Sequence, residues 1–98
     1  MAEIVWTEEA ERWLREIHDY IASDNPVAAA EVVAGIFEKS QVLGRFPEIG
    51  HKYRDEPEGE IRILLYGHYR IAYLLHPSQT ISVLGVFHGA LDIARYLL

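Results

Sequence analysis

Apolar residues recur at spacings of three and four through the first half of the chain, which is the pattern of helices that bury one stripe. The first run begins after Thr7, a suitable N-cap for an acidic first turn, and ends near Ser23. A second run begins at Pro26 and continues to about Gly44. Because the connection between the runs is short, the two helices are predicted to form an antiparallel hairpin.

Strand signals dominate the second half. Three segments there are rich in Ile, Val, Leu and Tyr and are separated by turn residues: 61–66, 69–75 and 80–87. Gly67 at the first position of a two-residue turn favours a type II′ hairpin, which would pair Tyr66 with Tyr69. The three segments therefore predict an antiparallel meander.

The remaining segments complete one α+β domain. Residues 4–6 are a short apolar run that predicts an N-terminal strand, and residues 52–59 are polar and are predicted to be a loop. Residues 90–98 have the propensity of a short C-terminal helix or tail. The predicted order is β-α-α-β-β-β, with the helical hairpin packed on a small antiparallel sheet. Since 98 residues are too few for two independent cores, residues 1–98 are expected to form a single domain.

Charge is distributed unevenly along this chain. Residues 1–38 carry nine acidic and two basic side chains, a net charge of −7, whereas residues 39–98 carry seven basic and six acidic side chains, a net charge of +1. Non-specific affinity for nucleic acid comes from cationic side chains that displace counterions. The composition therefore excludes a general nucleic-acid binder, and any such contact is expected to be local and on the second half.

Other features of the composition limit the location and the chemistry. The chain has no cysteine and no apolar run of the roughly 18 residues that a membrane span needs, so a soluble cytoplasmic protein without membrane contact is expected. The five histidines show no paired metal-ligand spacing. Neither a nucleophile-elbow serine nor a glycine-rich phosphate loop is present. Neither a metal nor another cofactor is expected.

The second half also carries a series of short motifs. They are Leu43 with Phe46-Pro47-Glu48-Ile49-Gly50, Ile61-Arg62, Gly67-His68-Tyr69-Arg70-Ile71-Ala72-Tyr73, and Val83-Leu84-Gly85-Val86-Phe87-His88 followed by Asp92. Together with the helical hairpin, these motifs resemble the RelE/ParE family of toxins from bacterial type II toxin–antitoxin pairs. The resemblance covers nearly the whole chain. It implies a small α+β toxin that is held inactive in a hetero-oligomer by an antitoxin encoded beside it.

The resemblance implies two possible mechanisms with different site residues. Members similar to RelE cleave mRNA on the ribosome, which needs a base, an acid and cations around the phosphate. The catalytic candidates for that reaction are His88, Arg70 and Arg62. Members similar to ParE inhibit DNA gyrase without a known catalytic centre. The candidates for contact with the target or the antitoxin are then Tyr69, Arg70, Tyr73 and Tyr96.

Strand register favours the ParE-like mechanism. If Gly67-His68 is a two-residue turn, Arg70 faces one side of the sheet, whereas Arg62 opposes Tyr73 on the other side. The RelE-like lysines are missing as well, because the two lysines, Lys39 and Lys52, lie off the predicted strands. The leading hypothesis is therefore a growth-inhibiting toxin that binds gyrase and has no catalytic activity.

Two alternatives remain open from the residues alone. The position of His88 at the end of the last strand is compatible with a ribosome-dependent, metal-independent mRNA endonuclease. Leu91 stands where the family commonly has an arginine. That departure suggests a non-toxic binding module derived from such a toxin.

Overall fold

The computed structural model describes residues 1–89, 91 and 93–97, so Ala90, Asp92 and Leu98 of the predicted tail and motifs lie outside the described residues. A short strand and two helices come first: β1 (Ile4–Trp6), α1 (Glu8–Ala22) and α2 (Pro26–Gln41). Four strands follow: β2 (His51–Glu56), β3 (Gly59–Tyr66), β4 (Tyr69–Leu75) and β5 (Ile81–His88). Short 3₁₀ turns lie at Val42–Gly44 and Ile93–Arg95. The predicted α+β class is confirmed.

Both helices start at the predicted caps. Thr7 Oγ1 accepts a hydrogen bond from the Ala10 amide at 3.1 Å. Asn25 Oδ1 accepts one from the Ala28 amide, also at 3.1 Å, just before the proline that opens α2. Thr7 also donates to the Val83 carbonyl at 2.8 Å, which ties the start of α1 to β5. Neither helix of the described chain is long and apolar enough to cross a membrane.

The five strands form one mixed sheet in the order β1-β5-β4-β3-β2. Strands β2 to β5 pair antiparallel, whereas β1 pairs in parallel with β5, with Ile4 opposite Ile81. The turn at Gly67-His68 pairs Tyr66 with Tyr69 as predicted. Of these two turn residues, Gly67 alone has a positive φ, at 56°, which fits a type II′ turn.

The loop predicted for residues 52–59 is wrong. Residues His51–Glu56 form the edge strand β2, which pairs with β3 and has a register irregularity between Lys52 and Arg54. Because β2 bonds to the sheet along one edge and exposes half of its residues, it lacks the apolar run that marks the inner strands. Lys52 therefore lies on a strand, and its ammonium group is 2.7 Å from the Asp55 carboxylate.

Apolar residues are buried on both faces of the sheet. The helix face packs against α1 and α2, and its buried strand residues include Leu64, Ile71, Tyr73, Val83 and Val86. The opposite face, called the far face below, buries Ile61, Ile63, Ala72 and Phe87 together with Ile93 and Leu97. The described part of the C-terminal segment, residues 91 and 93–97, therefore covers the far face.

Helix α1 lies beside the part of β5 that β1 does not reach. Pairing between β1 and β5 ends at Val83. Beyond that point Trp13 of α1 packs its ring edge-on to Phe87, at 4.8 Å between centroids, and to Tyr96, at 5.1 Å. Trp13 thereby joins the helical hairpin to the core of the far face.

Candidate functional site

The structure distributes the predicted site residues over both faces and both ends of the sheet. The predicted register is confirmed, because Arg62 opposes Tyr73 on the helix face and Arg70 lies on the far face. His88 opposes Tyr69, four residues along β4 from Tyr73. At the usual rise per strand residue, Arg62 and His88 are about 13 Å apart along the strands. Arg62 is therefore separated from His88 along the strands, and Arg70 lies on the opposite face of the sheet from Arg62.

Arg62 holds the turn formed by residues 46–50. Its Nη1 donates to the carbonyl oxygens of Glu48, at 3.0 Å, and Gly50, at 2.7 Å. Its Nε donates to the Glu60 carboxylate at 3.1 Å, and the side chain is 15% exposed. The guanidinium group is thus occupied by three acceptors of the same chain and shapes the connection between α2 and β2.

Tyr73 holds the same turn from within the core. Its hydroxyl donates to the Pro47 carbonyl at 2.7 Å and accepts a hydrogen bond from the Gly50 amide at 3.1 Å. Burial raises the pKa of Tyr73, since it removes the phenolate from water, while the bond from Gly50 and the charge of Arg62 oppose that shift. The Tyr73 side chain is fully buried, so it offers no surface to a partner in this conformation.

Arg70 anchors the C-terminal segment on the far face. Its Nη2 donates to the Leu91 carbonyl at 2.6 Å and lies 3.5 Å from the Gly89 carbonyl. Its Nε is buried and has no hydrogen-bond partner within the described chain. Arg54 of β2 donates to the Leu97 carbonyl. Two arginines from different strands therefore fasten the segment to the sheet.

His88 lies in an aromatic group at the end of the sheet where β3 turns into β4. Its ring centroid is 5.8 Å from that of Tyr69 and 6.3 Å from that of His68. A shallow pocket of about 450 Å³ is lined by these three residues and by Arg70. A second pocket, of about 340 Å³, lies between His88 and α1. Arg70 and His88 thus lie at one end of the sheet, but Arg70 is on the far face and His88, opposite Tyr69, is on the helix face.

Tyr96 lies over the far-face core. Its ring stacks on Phe87 at 5.7 Å with an interplanar angle of 24°, and the residue is about half exposed. It borders a groove of about 650 Å³, called the far-face groove below. The floor of this groove includes Ile61, Leu74 and Leu84, and its charged lining residues are Glu9, Arg54, Glu56 and Glu58.

An exposed apolar stripe runs along α2 and was not predicted from the sequence. Val27 is 68% exposed and Phe37 48% exposed, and the exposed Ala30 and Ala34 lie between them at helical spacing. The buried positions of α2 are Ala29, Ile36 and Ser40. The sequence does contain a signal for this stripe. Residues 26–41 are apolar around most of the helix circumference, which is typical of a helix covered on more than one side.

The groups that RNA cleavage would use are sparse in the described chain. The pKa of Lys52 is raised, chiefly by its hydrogen bond to Asp55, so the lysine on the sheet is held charged by a carboxylate. Leu91 lies at the position of the missing arginine and accepts a hydrogen bond from Arg70. Residues 1–89, 91 and 93–97 contain no group of three or more metal-ligating side chains that could hold an ion.

Comparison of sequences identifies the family of the chain. Residues 4–93 match the family model described as the ParE toxin of the type II toxin–antitoxin system parDE. Over 86 residues the chain is 38% identical to a protein of Sinorhizobium fredii (strain NBRC 101917 / NGR234) named "Putative toxin Y4kP", and the match covers 88% of this chain and 86% of that protein. The chain belongs to the ParE family of type II toxins, which confirms the predicted preference for ParE over RelE.

Solved structures with this fold come from both branches of the wider family. One is of the chromosomal ParDE toxin–antitoxin system of P. aeruginosa, with a TM-score of 0.73, 21% identity, and 90% of this chain and 96% of that chain covered. Another is of the toxin–antitoxin complex RelBE2 of Mycobacterium tuberculosis, with a TM-score of 0.60, 27% identity, and 89% and 96% covered. The shared fold alone therefore does not separate the two mechanisms.

Proposed function

We propose that this ParE-family toxin inhibits bacterial growth in the cytoplasm by binding DNA gyrase, without catalysis of its own. The observation that carries the proposal is the separation of Arg62 from His88 and Arg70. A nuclease needs its acid, base and cations around a single phosphate. Arg62 is instead bonded to the turn at residues 46–50, and Arg70 is bonded to the C-terminal segment. A toxin that acts by binding needs no such cluster.

Charge on the far face supports the same proposal. Arg70 lies on this face, and the open groove there is lined by Glu9, Glu56 and Glu58. Three carboxylates beside a single arginine, Arg54, make a surface that repels a phosphate backbone. An RNA strand laid along this face from Arg70 would therefore meet an unfavourable potential at the groove, whose floor residue Leu74 lies about 13 Å from Arg70 along β4.

The proposal includes a cognate antitoxin that neutralises the toxin in a hetero-oligomer. Two solved relatives in fold are described as a ParDE system and as a toxin–antitoxin complex. In this chain the exposed stripe from Val27 to Phe37 supports such a partner, since an apolar helix face of this kind is stabilised when another chain covers it. Tyr69 and Tyr96 have accessible surface and remain candidates for contact with the antitoxin or the target.

Gyrase inhibition is tested with purified protein. The parent chain and the variant His88→Ala are each added to gyrase and to a translation extract, and both are expected to block supercoiling and to leave mRNA intact. A different result would establish the endonuclease instead. In that case the parent would leave supercoiling unaffected and cut mRNA, and His88→Ala would no longer cut it. Absence of growth arrest on induced expression would favour a non-toxic binding module.

The antitoxin contact is tested with the protein encoded by the adjacent reading frame. Ala34→Glu places a charge in the middle of the exposed stripe and is expected to weaken binding roughly tenfold or more, because a carboxylate would be buried without a partner. Glu31→Gln, at an exposed position on the same helix, is the matched control. If Ala34→Glu bound as tightly as the parent, the stripe would not be the antitoxin surface.

A further inference from the structure

The floor of the far-face groove is a short apolar trough across three strands. Ile61 of β3 lies directly opposite Leu74 of β4. Leu84 of β5 lies beside them, where the register between β4 and β5 shifts. Since neighbouring strands are about 4.8 Å apart, the floor spans roughly 10 Å at right angles to the strands. Its length suits two or three apolar side chains of an extended or helical segment.

Carboxylates lie at both ends of this trough. Glu9, in the first turn of α1, lies at the β5 end, and Glu56 and Glu58 lie at the end formed by β2 and its turn into β3. Arg54 donates to Glu56 at 2.6 Å, so its charge is already compensated within the groove.

The carboxylate of Glu9, at the α1 end of the groove, is only partly neutralised. Arg12 contacts Glu9, but it also contacts Glu16 at 3.2 Å and so divides one positive charge between two carboxylates. Glu58 is exposed at the opposite end. The groove therefore combines an apolar centre with negative charge at each end.

We propose that the far-face groove binds a segment of a partner polypeptide in which apolar side chains are flanked by lysine or arginine. Apolar side chains would be removed from water over Leu74 and Leu84, and the flanking cations would meet Glu9 and Glu58. A second copy of this chain is a poorer fit as the occupant, because its net charge of −6 would add like charge to an acidic groove. The proposal is independent of whether gyrase is the target of the toxin.

The test uses a displayed library of short random peptides selected against the folded chain. Selected peptides are expected to contain lysine or arginine on either side of apolar residues. Their addition should shift the amide resonances of Leu74 and Leu84 rather than those of α2. Replacement of the basic residues of the best peptide by glutamine should weaken its binding by at least roughly threefold.

Charge variants of the chain then locate the contact. In Glu9→Gln combined with Glu58→Gln, the affinity for the same peptide is expected to fall roughly three- to tenfold, and the loss should shrink in high salt. Glu31→Gln combined with Glu38→Gln, on exposed positions of α2, should leave the affinity unchanged. Unfolding curves show whether each variant is folded. Selection of acidic or uncharged peptides, or equal affinity for the Glu9/Glu58 variant and the parent, would overturn the proposal.

Discussion

Tyr73 donates the hydrogen of its phenol to the carbonyl oxygen of Pro47, 2.7 Å away, from a position inside the core. The phenol oxygen in turn accepts a hydrogen bond from the Gly50 amide, while Arg62 binds the Gly50 carbonyl. Side chains of β3 and β4 therefore fix the turn between α2 and β2. The motif at residues 46–50, which carries part of the family resemblance, has a structural role in this chain.

Tyr73→Phe should lower the free energy of unfolding by about 2 kcal/mol, because the Pro47 carbonyl and the Gly50 amide both lose a buried partner. Urea unfolding of parent and variant measures the difference. Tyr20→Phe is the matched control, since Tyr20 is 83% exposed, and its effect should stay below about 0.5 kcal/mol. If Tyr73→Phe were as stable as the parent, other contacts would be holding the turn.

Stability should also fall as the pH rises above about 10. Burial raises the pKa of Tyr73 above its ordinary value of 10.0, so the unfolded chain loses this proton at a lower pH than the folded chain does. The stability that the protonated Tyr73 side chain contributes is complete below its unfolded-state pKa and is lost as the pH rises through its folded-state pKa. Urea unfolding between about pH 8 and pH 11 should show a steeper decline for the parent than for Tyr73→Phe. If the free energy of unfolding fell equally with pH in the parent and in Tyr73→Phe, the decline would not originate from Tyr73.

Arg62→Met should lower the free energy of unfolding by about 2 kcal/mol, because the Glu48 and Gly50 carbonyls lose their donor and Glu60 loses its ion pair. Methionine retains much of the aliphatic stem. Arg15→Met, at an exposed position of α1, provides the comparison and should change stability little. Growth arrest by Arg62→Met is expected wherever the variant remains folded. Loss of growth arrest in a folded variant would assign Arg62 a role beyond the turn.

Arg70→Met should loosen the C-terminal segment while the sheet stays intact. Removal of the guanidinium group frees the Leu91 carbonyl, so the amides of Tyr96 and Leu97 should exchange with solvent faster, by roughly tenfold for each 1.4 kcal/mol lost. Hydrogen exchange measures this effect, and amides of β4 serve as the internal reference. The exposed Arg95→Met is the control. Equal acceleration throughout the sheet would indicate general destabilisation instead.

Much of the fold was predictable because local signals and tertiary structure agree. Thr7, Asn25 and Pro26 mark the helix starts that the structure contains, and Gly67 marks the turn that sets the register of β3 and β4. That register also predicts the opposite orientations of Arg62 and Arg70. Because successive side chains of a strand point to opposite faces of the sheet, these orientations follow from the pairing alone.

Other features depend on long-range contacts that local patterns do not report. Strand β2 was missed because its sequence, HKYRDE, has the composition of an exposed edge. The cover over the far face was missed as well, although β3, β4 and β5 are apolar on both faces and such strands are typically buried on both sides. Within the site, two of the three acceptors of Arg62 and both carbonyls beside Arg70 belong to the backbone, and the identity of a side chain does not predict contacts with backbone carbonyls.

The parallel pairing of β1 with β5 has a consequence for the order in which the protein forms. Ile4 finds its partner at Ile81, so the first strand of the sheet cannot dock until the last one has been synthesised. Closing so long a loop costs conformational entropy before the contact compensates for it, which makes such pairings late and slow events in folding. A chain synthesised only as far as β4 therefore lacks both the finished sheet and its far-face cover, and the far-face groove forms only after β5 and the segment that follows it have been synthesised.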